Sequence, residues 1–246
     1  MSNQPQLALA EKVASRLTTK GAHSVVVVGS IARDDHHKYS DVDIIALGAG
    51  PHHTLEVIDG CLVSISWRVP AAVRDSFDDP FVAGAAVPSW RGAVLIRDPN
   101  GVAASVQHAA HSWQWESIHT QCERAVAHEI TEYAEEIYRI VGLRRAGRRR
   151  AAAGVRSAML FPLCRAMAVH HRLMYDSENA LWDLVGAAMG HDWIRDFDIA
   201  AGVERGAADL AVLSLYRLAA HRVDRTLSVA QRLVVASAVA CTEDAV

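Results

Sequence analysis

Four consecutive valines, Val25 to Val28, run directly into Gly29 and Ser30. A short, β-branched, wholly apolar run of this kind is the signature of a strand buried on both faces. Gly29 and Ser30 break it, and Ile31–Ala32–Arg33 begin a helical turn. A strand that ends in such a turn presents backbone N–H groups and a hydroxyl to an anion. Ten residues separate Ser30 from Asp41, which is followed by Val42, Asp43 and the apolar Ile44–Ile45–Ala46–Leu47. As a strand, this second segment has period two, so both carboxylates fall on one face and Val42 on the other. Two carboxylates on one rigid edge, beside a phosphate-cradling turn, suit Mg²⁺ held between protein oxygens and substrate phosphates.

A lone Gly-Ser is a turn, and a lone Asp-x-Asp is most often a solvated loop. In this order and between two apolar strands they are far more specific. The stretch then resembles the nucleotidyltransferase superfamily of polymerase-β type, whose signature is Gly-Ser, about ten residues, and Asp-x-Asp or Asp-x-Glu. The resemblance implies that Gly29 and Ser30 hold the phosphates of a nucleoside triphosphate. It implies Asp41 and Asp43 as the catalytic, Mg²⁺-binding pair, and Arg33 as a contact to the triphosphate. His36 and His37, in the polar loop between, read as surface residues.

Composition sets outer limits. The 246 residues are half apolar, with a net charge of −3, which describes a globular chain with no global pull toward nucleic acid or an anionic membrane. No secretory leader is visible at the N-terminus, and no uncharged apolar run approaches the ~18 residues that span a bilayer. Cys61, Cys122, Cys164 and Cys241 match no metal-ligand spacing and suit buried thiols in a reducing cytosol. The expected setting is cytoplasmic, without membrane or nucleic-acid partners.

Along the chain, residues 6–20 have helical spacing and pack against the sheet. Thr54 to Trp67 predicts a hairpin about Asp59–Gly60, a short helix over 69–77 follows, and a further strand spans about 93–96. Arg97 to Gly101 is a dense breaker cluster. Beyond it lie helical periodicities at about 102–141, 151–175, 179–189, 207–221 and 228–240. The fold class is α+β: an N-terminal nucleotidyltransferase fold with a mixed sheet and flanking helices (1–104), then an all-helical bundle for substrate binding and dimerisation (105–246).

The order of the first half, HEITEYAEEIYRI, and the Ala168–Val185 stretch AVHHRLMYDSENALWDLV look like kanamycin nucleotidyltransferase. That resemblance implies a homodimer, ATP or another NTP with Mg²⁺, and transfer of AMP to a small acceptor such as an antibiotic or related metabolite, with release of pyrophosphate. Superfamily members generally carry a third carboxylate on the second hairpin strand, where this chain has Ser64. Glu129 and Glu132 of the helical half are alternative acids, and Arg68 a further phosphate contact. Two other functions compete: a nucleotide-binding regulatory protein that has lost turnover, and a protein-modifying nucleotidyltransferase of toxin–antitoxin type. LRRAGRRRAAAG, from Leu143 to Gly154, holds five arginines and reads as a solvated loop, with phosphate or RNA binding as the alternative. His170 and His171 follow Arg165 at a spacing seen in RNA-cleaving helical domains, an activity the family's helical half does without.

Overall fold

The computed structural model describes residues 3–243. They divide into two compact units between Ser117 and Ile118. The first unit is built on a five-stranded sheet of order β3-β4-β2-β1-β5, comprising β1 (Ser24–Val28), β2 (Val42–Leu47), β3 (His53–Ile58), β4 (Cys61–Arg68) and β5 (Val94–Arg97). β1 is antiparallel to both β2 and β5, β3 is antiparallel to β4, and β2 is parallel to β4, so the sheet is mixed. This is the expected α+β class.

One face of the sheet is sealed by α1 (Gln4–Thr19), whose Leu9, Ala10, Val13, Ala14 and Leu17 pack on Val25, Val27, Val42, Ile44 and Val63. Period-two alternation sends Asp43, Ile45 and Ser64 to the other face. The hairpin forms as the sequence predicts. Asp59 (φ 51°) and Gly60 (φ 79°) both take the positive φ that a two-residue type I′ turn requires. That turn pairs Ile58 with Cys61 and thereby fixes the register of the whole hairpin. Arg16 of α1 pairs with Glu56 of β3 at 2.7 Å on the covered face.

The short α2 (Gly29–Arg33) leaves β1, and α3 (Pro70–Asp75) follows β4. The segment 79–91, not recognised as helical in the sequence, forms α4 (Pro80–Arg91). Asp79 caps it by accepting from the Phe81 amide at 2.9 Å, Pro80 occupies the first turn where its missing N–H costs nothing, and Pro88 lies inside. The periodicity over 102–141 resolves into α5 (Val102–Ser112), a 3-10 turn (Trp115–Ile118) and α6 (His119–Arg145). Trp113 turns extended and stacks edge-on against Trp115, with centroids 5.0 Å apart. The break moves the unit boundary from the expected position after residue 104, because α5 packs on α3, α4 and β1.

The second unit is helical. It contains α6, α7 (Arg149–His170), α8 (Glu178–Met189), α9 (His191–Ala201), α10 (Ala208–Val223) and α11 (Val229–Glu243). The apolar sides of α6, α7 and α10 meet in its centre, where the Tyr216 hydroxyl donates to the Ile130 carbonyl at 3.0 Å. α9 falls between residues 189 and 207, where the sequence carries no expectation of a helix. α7 is long and apolar enough to cross a membrane by length and composition, yet it packs against α6, α8, α9 and α10.

Candidate active site

The site grows from the junction of β1 and α2. Val28 is extended, and Gly29 follows with φ +72°, a conformation that L side chains rarely adopt. β1 and β2 pair so that Val28 stands opposite Asp43. A Cβ at Gly29 would lie 2.5 Å from Oδ2 of Asp43, so any side chain there would displace the carboxylate, which rests on bare backbone. The glycine bend and the acid are therefore one site.

Asp41 immediately precedes β2, and Asp43 is its second residue. Asp43 is half-buried. Burial, with a further contribution from the charge of Asp41, pushes its carboxyl above the usual carboxylate range. A hydrogen bond from Ser64 and the positive fields of Arg33 and His53 oppose the shift without cancelling it. Two carboxylates crowded together beside bare backbone form a site that a divalent cation would relieve. Among the described residues no three His, Cys, Asp or Glu side chains gather into a metal-sized group. Magnesium fits such a pair, since it commonly takes one or two protein carboxylates and completes its shell with phosphate oxygens and water.

Parallel pairing of β2 with β4 sets Ser64 directly beside Asp43. The Ser64 hydroxyl has one proton, which it donates to Asp43. Its oxygen is also 3.3 Å from Nε2 of His53, so that contact assigns the proton to Nε2 and makes the imidazole the donor. A chain from His53 through Ser64 to Asp43 results. His53 was missed in the sequence, although the signal was present: a two-residue turn at Asp59–Gly60 already dictates that residue 53 pairs with Ser66, one diagonal step from Ser64. Leu55, Val57 and Leu62 continue the same open face as exposed apolar side chains.

Arg33, at the end of α2, pairs through Nε with Asp35 at 3.0 Å and its field reaches Asp43. Ser30 is the second residue of α2, after Gly29, and its carbonyl accepts from the Asp35 amide at 3.1 Å. Arg68 does not join them. It ends β4 opposite Leu47, four strand positions and so ~13 Å along from Ser64, and its guanidinium donates to the carbonyls of His52 and Trp67. His36 is corrected from a surface residue: its side chain is 2% exposed, 3.8 Å from Asp34, and neither ring nitrogen has a hydrogen-bond partner. Glu129 and Glu132 lie on α6 in the second unit. Burial raises the Glu129 carboxyl against the pull of Arg165 at 4.0 Å, whereas Glu132 is an exposed partner of His128.

Residues 9–83 match the family model of the nucleotidyltransferase domain. The matched span runs from α1 into α4 and takes in Gly29, Ser30, Asp41, Asp43 and Ser64. No curated protein matches the chain. Among solved structures, a nucleotidyltransferase-like protein from Exiguobacterium sibiricum 255-15 is similar, with a TM-score of 0.55 over 89% of this chain and 75% of that one. At 10% identity the likeness is one of fold. The domain match supports nucleotidyl transfer as the general chemistry.

Proposed function

We propose that this protein is a Mg²⁺-dependent nucleotidyltransferase that moves a nucleoside monophosphate, AMP from ATP in the simplest case, onto a small-molecule acceptor and releases pyrophosphate. The observation that carries this reading is the seating of Asp43 against the side-chain-free backbone of Gly29. It brings a metal-binding carboxylate and a phosphate-binding bend within the compass of one triphosphate.

Asp41 and Asp43 would hold the magnesium ion, which when bound supplies positive charge to the triphosphate and the departing pyrophosphate. The backbone at Gly29 and the hydroxyl of Ser30 bind the β- and γ-phosphates. Arg33 adds positive field on the same side. Ser64 and His53 orient Asp43 by hydrogen bonding, which keeps its oxygens aimed at the bend. Phosphoryl-type transfer depends chiefly on positioning and electrostatic stabilisation, so a site with two carboxylates remains competent.

The acceptor is an antibiotic or related metabolite on the kanamycin nucleotidyltransferase likeness, and the working form a homodimer. Ser64 at the position of the superfamily's third carboxylate favours one further reading, nucleotide binding without turnover. Pyrophosphate release, screened across antibiotics and hydroxylated or phosphorylated metabolites, separates the two. Release that depends on both Mg²⁺ and an acceptor supports the enzyme. Calorimetric binding of Mg²⁺–ATP with no release against any acceptor supports the regulatory protein.

A further inference from the structure

The turn between α6 and α7 carries positive charge at the unfavourable end of a helix. Arg148, Arg149 and Arg150 occupy the N-cap and first two positions of α7, with no side-chain cap and no acidic residue in the first turn. The helix dipole already makes this end positive, so each added cation works against the helix. A local rule broken without compensation inside the fold is characteristic of a functional position.

Arg149 and Arg150 line a cavity of about 580 Å³ within the second unit, together with Arg144 at the end of α6, Arg156 farther along α7, and Asp209. That volume is of the size that holds small ligands. Ala207 and Ala208 bring the N-terminus of α10 to the same cavity, again without a side-chain cap. Four arginines and one carboxylate line it, and Asp209 is engaged by Arg156. Nη1 of Arg144 and Nε of Arg156 are shielded from solvent and have no acceptor in the protein. These two guanidinium groups are thus incompletely paired inside the fold, and arginines with unfilled hydrogen-bonding capacity suit oxyanions at their accessible N–H groups. No aromatic side chain lines the cavity, so nothing there stacks on a base.

We propose that this cavity binds a compact polyanion carrying two or more adjacent phosphate groups. Arginine takes phosphate oxygens in pairs, and the lining leaves three positive charges for more than one phosphate to neutralise. The cavity lies wholly within the second unit and stands or falls apart from the aspartates of the first.

Calorimetry of the full chain with inorganic tripolyphosphate, in EDTA, tests the site. The expected result is binding that weakens as salt is raised, and at least tenfold in a doubly substituted Arg149→Gln, Arg150→Gln variant. Both side chains are exposed, and without tripolyphosphate the variant melts no lower than the native chain, because it removes two cations from the positive end of α7. Absence of binding by the native chain, or undiminished affinity in the variant, would overturn the site. So would a variant that melts lower without ligand, which would make the arginines structural. Single-stranded oligouridine binding through the same arginines more tightly than tripolyphosphate would replace the small-ligand site with a nucleic-acid surface.

Discussion

Gly29 is held both by its own backbone and by the acid that packs against it. Its positive φ strains any substitution, and the 2.5 Å approach of Asp43 Oδ2 to its missing Cβ means that a side chain would displace the carboxylate. Gly29→Ala must either shift the bend or swing the carboxylate away, costing ~1–2 kcal/mol in backbone strain alone. Transfer activity should fall roughly 100-fold or more, measured as pyrophosphate release against the native chain. Asp43 yields a second expectation, in the opposite direction for stability. Its carboxyl titrates above the ordinary aspartate value in the folded chain, so its contribution to stability is present below that ordinary value and lost as pH rises through the higher folded value. At neutral pH without metal the ionised group works against the fold. Asp43→Asn should therefore melt higher than the native chain at pH 7 in EDTA, and the advantage should vanish below about pH 4. Adding Mg²⁺ should raise the native midpoint and leave the variant's unchanged, read by thermal melts across pH.

At the scale of elements, Asp98 ties three of them together. Its Oδ1 accepts from the Ser24 hydroxyl of β1 at 2.6 Å and the Ala103 amide of α5 at 3.0 Å, while Oδ2 accepts from the Ala104 amide at 2.8 Å. Burial pushes this carboxyl up, but the hydrogen bonds from Ser24, Ala104, Ala103 and Val102 outweigh it and hold the group below its ordinary value. The stability it adds is present above pH ~4 and is lost as pH falls through the depressed folded value. Asp98→Ala should cost ~1–2 kcal/mol at neutral pH, with less effect in strong acid, as denaturant titrations at the two pH values would show. Asp98 illustrates what the sequence conceals, since it reads there only as part of a breaker cluster. The valine run, the helix of residues 6–20 and the Asp59–Gly60 hairpin were legible because buried periodicity and turn chemistry agree. α4 was hidden by Gly84 and Pro88, two residues that signal a break but here lie in a helix started by Asp79 and Pro80. The split between α5 and α6 has no glycine or proline to announce it; packing of Trp113 on Trp115 makes the turn.

For the whole molecule, the succession of a mixed sheet and then helices was legible in the sequence, as was the nearness of the glycine bend to the acidic strand. Asp43 follows from strand period and the fold brings it into contact with the bend, whereas Asp41 stands just before β2 rather than within it. Ser64 follows from the same alternation. His53 needed the hairpin register carried through to its end, and Arg68 stands at the far end of β4, four strand positions from Ser64. The bend at the start of α2 and the aspartates at and before β2 lie in the first unit, whereas the arginine cavity belongs to the helices of the second. The decisive measurement is transfer of label from α-³²P-ATP, with Mg²⁺ and an acceptor panel, by the native chain and by Asp43→Asn. Labelled product from the native chain, falling to background in the variant, is the predicted result. Equal labelling by both proteins would contradict the account.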